Sequence, residues 1–151
     1  MWGTHSLTLH SHLHLHLLLY LEPCLRCTLL KMDLDWTQPD LAEGLRLYET
    51  GKFFEAHEHW EDVWRLSPQP QKTFLQSLIQ VAGAFHHLQR NNPKGATGLM
   101  RSALRRLEPC PDHFAGISVT ALRQEIRLWL RALEQNDPAR PHVPVQIRPQ
   151  L

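Results

Sequence analysis

Cysteine is scarce in this chain: Cys24, Cys27 and Cys110 are the three among 151 residues. An odd and small number, with no secretory signal beside it, excludes a disulfide framework and predicts a reducing, cytoplasmic compartment. The signal is lacking because no Lys or Arg precedes Arg26, so there is no positive n-region. A membrane-spanning run is lacking too. Such a helix needs about 20 consecutive apolar residues, whereas Leu17 to Leu21 is a run of five bounded by His16 and Glu22. An excess of charge of one sign is also missing. The net charge is +1, which argues against nucleic acid as a partner. Residues 32–70 carry nine Asp or Glu against three Lys or Arg, and residues 71–151 carry eleven Lys or Arg against five Asp or Glu. Two such halves neutralise each other when packed. With 42% apolar and 21% charged residues, the composition is that of one soluble globular domain.

The stretch LTLHSHLHLHLLLYLEPCLRCTLL stands apart by composition. His10, His12, His14 and His16 alternate with Leu or Ser, and Cys24-x-x-Cys27 follows. A structural zinc site needs a second Cys/His pair at fixed spacing, and none follows this knuckle. Residues 1–31 are therefore expected to be a disordered leader, or a stretch read from a misplaced start. Met32 then opens a single domain spanning residues 32–151.

Strand-like alternation is absent after Met32, and helical spacing takes its place. Leu41, Leu45 and Tyr48 define a first helix, with Thr37 or Asp40 as its cap and Thr50-Gly51 as its stop. A second runs from Phe53 to about Leu66, before the prolines of SPQPQ. The third, from about Lys72 to Arg90, is apolar on most sides and is expected at the centre. The turn NNPKG leads to a fourth helix ending near Glu108. The loop DHFAGIS leads to a fifth from about Thr120 to Glu134, with Ser118 as its cap. The tail from Asn136 onward carries four prolines and should lie extended, docking Val143, Val145 and Ile147. The expected class is all-α, a compact bundle of about five helices with an extended Pro-rich tail.

Chemistry concentrates in FFEAHEHWEDVW, residues 53–64. Helical spacing places His57, Glu61 and Trp64 on one side with Phe53 and Trp60, the apolar side. A His and a Glu facing a core need partners. On the third helix Gln76, Gln80 and His87 fall within about 40° of one another, at about 100° per residue, with Gly83 between. The expectation is one buried or half-buried network of His57, Glu61, Gln76, Gln80 and His87, closed at its end by Trp64. Removing Glu61 or Trp64 should then be severe, and removing Glu58 silent.

The run Gly51-x-Phe53-Phe54-Glu55-Ala56-His57-x-x-x-Glu61-x-x-Trp64, continued by residues 74–96, resembles the small helical proteins catalogued as domain of unknown function 309. The resemblance covers roughly residues 40–107 and departs at Ser77, where the family usually has Gly or Ala. It implies a compact helical bundle and no established activity, although members have been labelled predicted metal-dependent hydrolases. On that label a Zn, Mn or Fe ion would be held by His57, Glu61 and His87, with Gln76 or Gln80 bonded to those ligands, and would activate a water. His57-Glu58-x-x-Glu61 is not the H-E-x-x-H of zinc peptidases, and no general base accompanies it, so no catalytic residue is assigned. The same cluster can instead hold two helices in register.

Two other classes of function draw on other residues. Gly44, Leu47, Gly51, Phe53, Ala56, Trp60 and Pro68 resemble one tetratricopeptide repeat. The next thirty-four residues do not repeat it, so there is no array, but one helix pair can present a face to a protein partner or to a second copy of the chain. Arg123, Arg127 and Arg131, spaced by four, with Arg101, Arg105 and Arg106, could meet phosphates, or could form a solvated face of salt bridges such as Arg127–Glu125 and Arg131–Glu134.

Overall fold

The computed structural model describes residues 33–137 and 141–150. The expectations for residues 1–31, with the His tract and Cys24-x-x-Cys27, lie outside the described residues.

Proline and glycine set the element boundaries. Helix α1 (Pro39–Glu49) begins with Pro39 in its first turn, where a missing N–H costs nothing. Neither Thr37 nor Asp40 caps it. Asp35 instead accepts hydrogen bonds from the backbone and hydroxyl of Thr37, a turn just ahead of the helix. At its end Gly51 takes φ +79°, and Lys52 N and Gly51 N donate to Leu47 O and Tyr48 O, the paired bonds of a Schellman stop. Helix α2 (Phe53–Leu66) follows at once and stops ahead of Pro68. Helix α3 (Gln71–Gln89) buries Phe74, Leu75, Leu78, Ile79, Val81, Ala82 and Phe85. Ser77 is buried within it because its hydroxyl donates to Phe74 O at 2.6 Å. Helix α4 (Pro93–Leu107) is capped by Asn92, which accepts from Gly95 N at 2.9 Å. Helix α5 (Val119–Glu134) is capped by Ser118, as its sequence predicts.

The central position of α3 follows from its nearly continuous apolar surface: it packs against α2 on one side and α4 on the other. Helix α1 then covers α2, and α5 covers α4. An aromatic group joins the layers. Tyr48 of α1, Phe53 of α2, Phe85 of α3 and Trp129 of α5 stand in a chain of ring contacts 5.0–6.2 Å apart. The class is all-α, with five helices among the described residues.

The loop before α5 differs from expectation. It folds as a hairpin of two-residue strands, β1 (His113–Phe114) and β2 (Ile117–Ser118), antiparallel, with Phe114 opposite Ile117. Ala115 and Gly116 both take positive φ, +49° and +73°, which the tightest hairpin turns require. Strands this short carry no alternation to read. The tail also differs in part: Val145 and Ile147 are buried as expected, but Val143 is exposed. The buried part is anchored by Tyr48 Oη donating to Val145 O (2.8 Å) and Gln146 N donating to the Glu125 carboxylate (2.6 Å). No helix among the described residues is long and apolar enough to cross a membrane.

Candidate functional site

The phase of α2 decides what its polar residues can do. Its buried row is Phe53, Ala56, Trp60 and Val63. His57, Glu61 and Trp64 lie one position further round and are only half-buried, so the expectation that they face the core is corrected. The small residues Ala56 and Val63, not the large aromatics alone, mark the inner face. His57 Nε2 lies 3.7 Å from Glu61 Oε1, with 30% and 34% of their side chains exposed. Glu61 also accepts from Arg65 Nη2 at 3.2 Å. An ion pair this exposed is worth little. Glu58 is exposed, as its place on the outer face predicts.

Gln76, Gln80 and His87 do share a stripe of α3, but they do not join His57 and Glu61 in one network. From Gln76 to His87 is eleven residues, about 16 Å of helix at 1.5 Å per residue, too long for one cluster of short contacts. Arg106 Nη1 donates to Gln80 Oε1 at 3.5 Å. Asn92 Nδ2 donates to His87 Nδ1 at 2.9 Å. The predicted cluster is therefore split: His57 and His87 line one cavity, Trp64 and Gln76 line another, and Glu61 and Gln80 line neither.

The first, of about 210 Å³, lies between α2, α3 and α4 and is lined by Phe54, His57, Gly83, His86, His87 and Leu99. Gly83 opens it, since a side chain there would press on Leu99 at 3.2 Å. Phe54, 48% exposed at the rim, stacks parallel to His57 (centroids 6.3 Å) and lies 5.2 Å from His86. His57 Nδ1 is buried here with no hydrogen-bond partner. A buried polar atom left unpaired costs about 1–3 kcal/mol, which makes it the most informative atom of the site. Glu61 Oε1, 3.7 Å from Nε2, is beyond hydrogen-bond distance and does not satisfy the ring either. His86 and Phe54 were not singled out by spacing. Each sits one residue off its stripe, yet the cavity lies between the helices, where off-stripe residues converge.

The second cavity, of about 230 Å³, brings Trp64 and Gln76 together with Gln69, Lys72, Thr73 and Arg106. Lys72 Nζ lies over the Trp64 ring, 4.6 Å from its centroid. Among the described residues no three of His, Cys, Asp and Glu gather as a metal-binding group, so His57, Glu61 and His87 are not brought together as a ligand set. His59 instead pairs with Asp40 at 3.1 Å, joining α2 to α1.

The arginine stripe is also taken apart. Arg123 is 13% exposed, and its guanidinium donates to the carbonyls of Leu107, Glu108 and Cys110 at the end of α4. Arg127 pairs with Glu108 and Arg101 with Glu134, where the sequence had suggested Glu125 and Arg131 as partners. The helix pair of the tetratricopeptide-like pattern is closely packed. A Cβ added at Gly44 would stand 2.4 Å from Trp60 Nε1, so α1 and α2 approach where glycine permits it.

Residues 41–99 match the family described as Domain of unknown function (DUF309). The matched stretch contains His57, Glu61, Trp64 and the whole wall of the 210 Å³ cavity. Two curated proteins are similar to the chain that carries this DUF309 segment. An uncharacterized protein of Aquifex aeolicus (strain VF5) is 32% identical over 99 residues, 65% of this chain and 30% of that protein. The uncharacterized protein YpuF of Bacillus subtilis (strain 168) is 34% identical over 65 residues, 42% of this chain and 37% of that protein. The matched stretches thus span about a third of these relatives.

Proposed function

We propose that the DUF309 segment is a helical protein-interaction module. Its cavity between α2, α3 and α4 receives one aromatic side chain of a partner, bearing an N–H or O–H donor. The observation that carries this reading is His57: its ring lines a cavity open to solvent, and its Nδ1, shielded in the unbound fold, has no hydrogen-bond partner and accepts the partner's N–H or O–H once the ring turns toward it. The apolar walls of Phe54 and Leu99 suit a ring, and about 210 Å³ accommodates a phenol or an indole. The close α1–α2 joint at Gly44 and Trp60 supports a rigid module, and the relatives carry their matched stretches within longer chains.

The test is selection of a random displayed-peptide library on the immobilised chain. Peptides enriched in Tyr or Trp are expected, and Tyr→Phe in such a peptide should weaken binding about fivefold or more, the worth of one hydrogen bond. Phe54→Ala, an exposed substitution that leaves the core intact, should abolish capture. Enriched peptides indifferent to Phe54→Ala would sink the reading. Stoichiometric metal in protein purified without chelators, lost in His57→Ala, would overturn the module.

A further inference from the structure

The second cavity has a chemistry of its own. It lies at the other end of the bundle's polar stripe, where the end of α2, the start of α3 and the last turn of α4 converge. From the groups lining it we infer that it is a binding site for a small phosphate monoester with an aromatic or apolar body. This inference is independent of the interaction module, which uses different residues.

Two cations line the cavity, and among the described residues neither Lys72 nor Arg106 has a carboxylate within ion-pair distance. Nearby cations do better: Arg101 of α4 pairs with Glu134, and Arg65 at the end of α2 pairs with both Glu61 and Asp62. Lys72 Nζ reaches only Arg65 O at 3.3 Å and the Trp64 ring. Arg106 Nη1 reaches Gln80 Oε1 and Ser102 O, both at 3.5 Å, the outer limit of a hydrogen bond. Arg106 is half-buried, so water screens its charge less than it would on the surface.

No Asp or Glu lines the cavity, and the neutral groups there bring donors. Gln69 Oε1 is taken by the backbone and hydroxyl of Thr73 (3.3 and 2.7 Å), so the group Gln69 has left to offer is its Nε2 amide. Gln76 adds a second amide. Two positive charges with several N–H donors match a dianion with several acceptor oxygens, which is a phosphate monoester more than a carboxylate. The indole of Trp64 forms the apolar wall beside it. The sequence had placed Trp64 and Gln76 in one cluster with His57; the structure places both here.

The probes are phenyl phosphate, inorganic phosphate, benzoate and phenol, titrated into the full chain by calorimetry. The amide and indole N–H signals are followed in parallel by nuclear magnetic resonance. Phenyl phosphate should bind saturably, about tenfold or more tighter than inorganic phosphate, and should shift the Trp64 indole signal. Phenol should not bind. Lys72→Met and Arg106→Met should each weaken phenyl phosphate about tenfold or more while thermal unfolding stays near that of the wild type, and Arg106→Lys should retain part of the affinity. Benzoate binding as tightly as phenyl phosphate would overturn the phosphate assignment. So would phenyl phosphate binding that ignores both methionine variants, or no saturable binding at all.

Discussion

Gly44 has no side chain, and the indole of Trp60 occupies the space one would need. Two effects oppose each other at this residue. Alanine is the better helix former by about 1 kcal/mol, but its methyl would overlap an indole that is itself fully buried and has nowhere to turn. Overpacking of this kind costs about 1–3 kcal/mol, so Gly44→Ala should lower the stability measured by urea unfolding. A stabilised variant would show that α1 and α2 can separate freely. The sequence set Gly44 and Trp60 in one tetratricopeptide-like pattern, and the structure adds that they meet. The phase of His57 was not legible from spacing. Phe53, His57, Trp60 and Trp64 make as good an apolar stripe on paper as Phe53, Ala56, Trp60 and Val63, and only the volume available against α3 separates them. The outcome matters for Glu61. Half-exposed and paired with Arg65, it is no longer a residue whose removal should be severe.

Helix ends were the most legible feature at the next scale, because Gly51, Pro68, Pro93 and Pro109 punctuate the chain where the backbone must turn. The partner that completes α4 was not. The last carbonyls of a helix have no partner within it, and here Arg123 of α5 supplies one guanidinium to Leu107 O at 2.7 Å, Glu108 O at 3.2 Å and Cys110 O. Backbone acceptors leave no mark in a sequence, so periodicity read Arg123 as part of an exposed stripe. Hydrogen bonds to a charged group contribute about 1.5–3 kcal/mol each. Arg123→Ala should therefore cost about 2–4 kcal/mol in chemical denaturation, with amide exchange accelerating first at the end of α4. Arg123→Lys should recover little, since the guanidinium grips Leu107 O through both Nε (3.2 Å) and Nη2 (2.7 Å) while Nη2 also reaches Glu108 O and Cys110 O, a two-nitrogen grip that an ammonium lacks. Full recovery by lysine would mean that charge alone, and not that grip, closes the helix.

Across the whole molecule, the long-range hydrogen bonds gather on the tail. Tyr48 Oη donates to Val145 O; burial, and then the charge of Glu125, push the Tyr48 hydroxyl well above the usual tyrosine range. The folded chain thus holds this proton after the unfolded chain has released it. The corresponding stability is present in full below about pH 10 and is lost as pH rises beyond it, by up to about 1.4 kcal/mol per pH unit. Urea unfolding of wild type and Tyr48→Phe at pH 8 to 11 checks this. The variant should be about 1 kcal/mol weaker at pH 8 and should lose less on going to pH 11. Parallel losses would refute the assignment. Beneath that tail lies the hairpin, whose two adjacent carbonyls take one bond each from opposite ends of the described fold: Trp36 Nε1 to Ala115 O (2.7 Å) and Gln150 N to Gly116 O (2.8 Å). The two ends of the described fold thus meet at one latch, the hairpin turn. Tension applied between residues 36 and 150 would reach that latch before any helix.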